Sequence, residues 1–207
     1  MGEVRRASEQ RQVELTDAAL RIVAAKGIAA LTTRSLADEV GLSTGAIFRH
    51  FASLEALLDA VVARVEAVLE STYPAADLPP VDRLERFVLA RSTAVGNQLG
   101  ILRLVLSEQF LLALPKSGSD RLTGCVEKTR SFVLACLRDG QTSSGELRTD
   151  LPAETLAPIV MGTVQMLALS RSKPRQREAE ARAVLGSLLA LLRSPVVAPS
   201  ASRKRSP

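Results

Sequence analysis

Residues 32–51 read TTRSLADEVGLSTGAIFRHF, and the fold turns on how this stretch is read. Thr32 and Thr33 are good caps for a helix predicted from Arg34 to Val40. Gly41 ends it, as the residue best able to take a left-handed C-terminal position. Ser43 caps a third helix, Thr44 to His50. Leu36, Ala37, Val40, Leu42, Ile47 and Phe51 form the apolar inside of the pair. Ala37 is small where the helices cross, and Gly41 stands where the chain must turn sharply. Ile47 and Phe51 are four apart and share the inward face. The outward face carries Thr44, Gly45, Phe48 and Arg49, with His50 beside them. The whole reads as a helix-turn-helix.

A DNA major groove is about 12 Å wide and admits one helix. Small residues at the start of the third helix allow close approach, and its N–H groups can meet phosphate. Arg49 has the two-pronged donor suited to guanine. Thr33, Arg34 and His50 are placed to hold the duplex through phosphates. Each also has a plainer role: Thr33 and Ser43 as caps, Phe48 as part of the core, His50 as an ordinary lone histidine. Taken together, the cap–helix–glycine–cap–helix order with an apolar inside favours DNA.

Helical patterning continues on both sides. Upstream, Leu15, Ala19, Ile22 and Ala25 line one face of a helix from about Glu9 to Lys26, stopped by Gly27. Downstream, Ser53 caps a fourth helix, Leu54 to about Ser71, with Glu55 favoured in its first turn. Pro74, Pro79 and Pro80 then break the pattern. Further helices are predicted at about 81–97, 100–113, 120–139, 152–170 and 176–193, with loops at 115–118 and 140–152. The fold class is all-α. Residues 9–54 form a three-helix DNA-binding domain. Residues 55–193 form a helical ligand-binding and dimerisation domain, entered through the connecting helix 54–71. Residues 194–207, with Arg203-Lys204-Arg205, have the composition of a disordered basic tail.

Bulk properties narrow the function classes. Aromatic residues are only 3% of the chain, so the core is built from Leu, Val and Ala, which suits helices better than a β-sandwich. No stretch reaches the roughly 18 apolar residues of a membrane span. The charged N-terminus lacks an apolar export signal, so a cytoplasmic, nucleoid-associated protein is expected. Cys125 and Cys136 lie eleven residues apart on one predicted helix, about 16 Å along its axis. That is too far for a disulfide, and both read as reduced core residues. The net charge of +5 is not itself a DNA signature. Residues 1–62 hold seven Lys/Arg against eight Asp/Glu, whereas residues 171–207 hold nine against two. The positive excess therefore lies away from the helix-turn-helix.

The motif resembles that of the TetR family of transcriptional regulators, approximately T-T-R-x-L-A-x-x-x-G-V-S-x-G-x-[LI]-[YF]-x-H-F-x-[SN]-K-x-x-L. This chain reads T-T-R-S-L-A-D-E-V-G-L-S-T-G-A-I-F-R-H-F-A-S-L-E-A-L-L, and AAKGIAALT at 24–32 is also similar. The likeness covers about residues 10–60. Beyond them it rests on length, helical character and the Gly145-Glu146-Leu147-Arg148 segment before Asp150. It implies about nine helices, a homodimer through the last two long helices, and a repressor released from a palindromic operator by a small ligand. It also implies DNA contacts at Thr33, Arg34, Ser43, Thr44, Gly45, Ala46, Phe48, Arg49 and His50. Two positions depart from it. Phe48 stands where Tyr is usual, and Leu54 where Lys is usual, so two phosphate-binding groups are absent. Weaker non-specific DNA binding is expected.

The apolar stripes of 152–170 and 176–193 are wider than one core contact needs, as a two-fold helical interface requires. A pocket for a small apolar or amphipathic ligand draws its candidates from Gln109, Phe110, Cys125, Phe132, Met161 and Gln165, with Glu108 and Met166 nearby in sequence. No cofactor, metal cluster or catalytic group is expected: there is one histidine, no phosphate-binding loop and no nucleophile–base pair. A DNA-binding protein acting through protein partners, without a small ligand, is the alternative.

Overall fold

The computed structural model describes residues 2–96, 101, 108–170 and 172–193. Among them are nine helices: α1 (Gly2–Lys26), α2 (Thr33–Val40), α3 (Thr44–Phe48), α4 (Leu54–Glu70), α5 (Pro80–Gly96), α6 (Glu108–Ala113), α7 (Lys116–Thr142), α8 (Ala153–Ala168) and α9 (Pro174–Leu192). No strand occurs among the described residues; Leu147 and Arg193 form one isolated antiparallel bridge. The basic tail lies outside the described residues.

Short side chains set the first helix boundaries. Thr32, rather than Thr33, caps α2: its hydroxyl accepts from the Ser35 N–H at 3.0 Å, and Ser35 Oγ accepts from the Thr32 N–H at 3.0 Å. This reciprocal box satisfies two donors that a helix start otherwise leaves exposed. Gly41 takes φ +68°, and the Leu42 N–H returns to the Ala37 carbonyl at 2.9 Å. Such left-handed backbone is open to glycine at little steric cost. The Ser43 hydroxyl caps α3 through the Ala46 N–H, and Ser53 caps α4 through the Ala56 N–H.

The first core gathers Leu15, Ala18, Ala19, Ile22 and Val23 of α1 with Leu36, Ala37, Ile47, Phe51, Leu57 and Val61. Ala25, expected on the inner face of α1, is exposed; Ala18 and Val23 take buried places instead. The second core joins Leu84, Phe87 and Val88 of α5 to Val133 and Leu137 of α7, Leu156 and Val160 of α8, and Leu185 and Leu188 of α9.

Helix α4 joins the two halves. Its buried stripe, Leu57 to Leu69, belongs to the first core, and acidic groups on its flank meet α7. Arg121 reaches Glu66 and also Asp59 at 2.6 Å, and Lys128 pairs with Glu70 at 2.7 Å. Exposed pairs of this kind are each worth only about 0–1 kcal/mol. Their use is geometric, since they hold α4 in register along α7.

Helix α7 is longer than the sequence suggests at both ends. Lys116–Gly118 and Gly140–Thr142, expected as loop, are helical. Neither glycine breaks the helix here, and Gly140 serves close approach. A Cβ on Gly140 would stand 2.6 Å from Leu147 Cδ1, and one on Gly118 would sit 3.5 Å from Val62. Leu147 is thereby pressed into the second core, with its N–H on the Gly140 carbonyl at 3.1 Å.

Candidate DNA-binding face and effector cavity

The helix-turn-helix is formed by α2 and α3, buttressed by α1 and α4. Gln12 of α1 donates to the His50 carbonyl at 2.8 Å, and Arg64 of α4 pairs with Asp17 of α1 at 3.0 Å. Helix α3 is shorter than its sequence suggests. It ends at Phe48, and Arg49 and His50 continue as a turn bonded to Ala46 and Ile47. Phe51 is nonetheless buried in the core, its N–H on the Ile47 carbonyl at 3.0 Å, before Ser53 starts α4.

The proposed contact residues divide by environment. Arg34, Ser43, Thr44, Gly45 and Arg49 are exposed, and Phe48 is 49% exposed, which sets it outside the core. Thr33 and Ala46 are half-buried. Because Thr32 is the cap, Thr33 has no capping duty; Ser43 does. His50 is half-buried, with Nδ1 shielded from solvent and without a partner. Arg11, Arg21 and Arg64 of the surrounding helices are tied to Glu14, Glu39 and Asp17. Among the described residues, Arg34 and Arg49 carry no ion pair. The two motif arginines are thus cations left uncompensated on an exposed face, although the domain as a whole is slightly acidic. Leu54 opens α4 partly exposed, where it offers no charge.

A cavity of about 100 Å³ lies in the helical body. Leu69 of α4, Phe87, Arg91 and Val95 of α5, Ile101, Cys125, Val126 and Thr129 of α7, and Met161, Val164, Gln165 and Ala168 of α8 line it. Of the sequence candidates, Cys125, Met161 and Gln165 reach this wall. Phe132 does not: it packs behind the cavity, 4.9 Å from Phe87 and 5.1 Å from Tyr73 between ring centres. Met166 points outward, away from the cavity. Gln109 and Phe110 lie on α6, with side chains outside the described set. Burial pushes the Cys125 thiol upward, and that of Cys136 up to about 11, so neither is an activated nucleophile. Both cysteines are free, and no group of acidic, His and Cys side chains suited to a metal occurs among the described residues.

Sequence reasoning missed Arg91, which is 5% exposed. Its guanidinium lies 4.9 Å from the Phe87 ring centre and 5.2 Å from that of Tyr73. Nη2 makes a long contact of 3.5 Å to Thr129 Oγ1, and Nε has no partner. Thr129 also meets the Tyr73 hydroxyl at 3.0 Å and donates to the Cys125 carbonyl at 2.9 Å. Burial lowers the arginine pKa, and Tyr73 partly opposes that. The signal was present: Leu84, Phe87, Val88, Arg91 and Val95 repeat at helical spacing, which sets a cation on a buried stripe.

Comparison with known proteins agrees with this architecture. Residues 15–61 match the family described as "Bacterial regulatory proteins, tetR family". Over 196 residues the chain is 28% identical to the HTH-type transcriptional regulator SrpR of Pseudomonas putida, covering 91% of this chain and 88% of that one. The structure of the ketosteroid transcriptional regulator KstR2 of Mycobacterium tuberculosis superposes with TM-score 0.78 at 21% identity, covering 89% of this chain and 96% of that one. AibR, solved in complex with isovaleryl coenzyme A and operator DNA, gives TM-score 0.70 at 15% identity, covering 86% and 98%. At such identities the two structures speak for the fold alone, whereas the helix-turn-helix matches in sequence as well. The helix-turn-helix segment is thus that of the TetR family of transcriptional regulators, and the chain as a whole shares the fold of the two solved structures.

Proposed function

We propose that this regulator binds a palindromic operator as a homodimer and is released from it when a small molecule fills the cavity. The observation that carries the reading is the exposed face of Thr44–Arg49, with Arg49 there and Arg34 on α2 free of acidic partners among the described residues. Thr33, Arg34, Ser43, Thr44, Gly45, Ala46, Phe48, Arg49 and His50 are the proposed contact set. Residues 9–54 would act as the DNA-reading domain and residues 55–193 as the regulatory one. Helix α4 supplies the link, because Leu69 lines the cavity while Leu57 and Val61 pack under the helix-turn-helix. A ligand that displaces Leu69 would tilt α4 and change the spacing of two recognition helices, which must match half-sites about 34 Å apart. That AibR was solved with both an acyl thioester and operator DNA supports such a coupling on this fold.

Dimerisation is supported by α8 and α9. Ile159, Gly162, Thr163 and Met166 fall on one face of α8, at spacings of three and four, and Met166 is 69% exposed. Val184 and Leu191 lie seven apart on α9, and Leu191 is 67% exposed. Nothing stands within 4 Å of a Cβ placed on Gly162, so a partner helix has room to approach closely. Paired apolar stripes of this kind suit an isologous four-helix interface.

One experiment tests both parts. Wild-type chain and the Met166→Glu/Leu191→Glu variant are compared by sedimentation velocity and by anisotropy on operator DNA. The wild type is expected to be a dimer that binds two subunits per operator. The variant is expected to be a folded monomer whose operator affinity falls at least about tenfold, since one half-site alone then contributes binding. A dimeric variant with unchanged affinity contradicts the interface, and a monomeric wild type that binds tightly contradicts the two-fold mode.

A further inference from the structure

The cavity wall is mostly apolar, with Leu69, Val95, Ile101, Val126, Val164 and Ala168 among its residues; Arg91 and Thr129 form a polar pair on it, and Gln165 lines it as well. A guanidinium taken out of water is costly unless it is paired. Here the pairing is incomplete. No carboxylate is bonded to Arg91 among the described residues. Glu70, an acid whose charge it feels, is already held by Lys128 at 2.7 Å. The aromatic faces of Phe87 and Tyr73 offset part of the cost. The ring faces accept no conventional hydrogen bond, and beyond them the Tyr73 and Thr129 hydroxyls are near the five donors. Nε is shielded from solvent and unpartnered, and the Nη2–Thr129 contact is at the outer limit of a hydrogen bond. What remains is a buried guanidinium, with one donor unpartnered, on the wall of a small apolar chamber.

We infer that the effector is a small organic acid, whose carboxylate pairs with Arg91 and whose short apolar chain fills the space between α5, α7 and α8. A carboxylate accepts two parallel bonds from a guanidinium, and charge-assisted pairs are roughly twice as strong as neutral ones. Gln165, which also lines the cavity, carries an amide that can donate to a carboxylate. The chamber, at about 100 Å³, is below the roughly 300–1,000 Å³ of sites for drug-sized molecules, so a chain of about four to eight carbons is favoured. The inference rests on the reading of this cavity as the effector site, and adds the chemical class of its occupant.

The chain carries its own reporter. Tyr73 is the one tyrosine and there is no tryptophan, so ultraviolet emission reports on the ring stacked against Arg91. The full-length protein is titrated near neutral pH with the straight-chain acids from butyrate to octanoate and with the alcohols of equal length, by calorimetry and by tyrosine emission. At least one acid is expected to bind saturably, at least about tenfold more tightly than its alcohol. Arg91→Met is expected to bring that ratio below about threefold. Arg91→Lys, which keeps the charge and loses the fork, should fall between. Should Arg91→Met fail to fold, the wild-type ratio and Arg91→Lys carry the test. No saturable binding by any acid, or a wild-type ratio below about threefold, overturns the inference. An alcohol that binds as well as the acids and still releases operator DNA would overturn it while leaving ligand release intact. An acid that binds through Arg91 without affecting DNA would support it and remove ligand release instead.

Discussion

Arg49→Ala is expected to weaken operator binding at least about thirtyfold while leaving the fold intact. A good bidentate contact to a base is worth about 1–3 kcal/mol, and a symmetric dimer makes it twice, so about 2–6 kcal/mol is at stake. The side chain is exposed and without an ion pair among the described residues, so its loss removes no buried contact. Circular dichroism and the thermal midpoint should therefore not move. Arg21→Ala is the control. It is a cation in the same domain, but its Nε is held by Glu39 at 3.1 Å, and its removal should change operator affinity less than about threefold. Arg34→Ala should differ in kind: a phosphate contact is lost across all sequences, and the salt slope should fall by about one per contact. Fluorescence anisotropy at several salt concentrations separates the three. An Arg49→Ala affinity within threefold of wild type would mean that α3 does not read bases through this residue.

Phe87→Ala is expected to give the largest loss of stability of any single change discussed here, about 3–5 kcal/mol. The ring is 1% exposed and lies at the centre of an aromatic group, 5.6 Å from Tyr73 and 4.9 Å from Phe132. Its face also supports the buried Arg91. Truncation leaves a void, removes two ring contacts, and takes from Arg91 one of the groups that offsets its desolvation. Domains are commonly stable by only about 5–15 kcal/mol, so the variant should unfold at a clearly lower urea concentration. Protein concentration must be held fixed, because dimerisation adds to apparent stability. Phe48→Ala makes the contrast. The ring is half exposed on the DNA face, and its loss should cost less than about 1 kcal/mol while lowering DNA affinity. A Phe87→Ala cost below about 1 kcal/mol would contradict the packing described here.

The helix-turn-helix half of the molecule was legible because local rules govern it. Caps at Ser43 and Ser53, the left-handed Gly41, and apolar residues three and four apart act over a few residues, and they placed α2, α3 and α4 to within a residue or two. Even there, α3 ends two residues earlier than expected, with Arg49 and His50 in a turn. The helical body depends on contacts distant in sequence. Gly118 and Gly140 read as breaks, yet they mark where Val62 and Leu147 press against α7. Phe132 has the composition of a pocket residue, and only the arrangement of Tyr73 and Phe87 shows it behind the wall. Arg91 was concealed by its type, since an arginine is ordinarily assigned to the surface. The spacing of α5 contradicted that assignment, and a charge on an apolar stripe is the pattern to look for.

The central claim is that Thr44–Arg49 reads a specific DNA sequence as one half of a symmetric pair. Selection of bound duplexes from a random pool by the full-length chain tests this most directly. The account predicts one enriched inverted repeat, with half-site centres about one helical turn apart or a multiple of it, and no such enrichment by Arg49→Ala. A pool that stays unenriched with the wild-type chain, or an enriched site without two-fold symmetry, would contradict it.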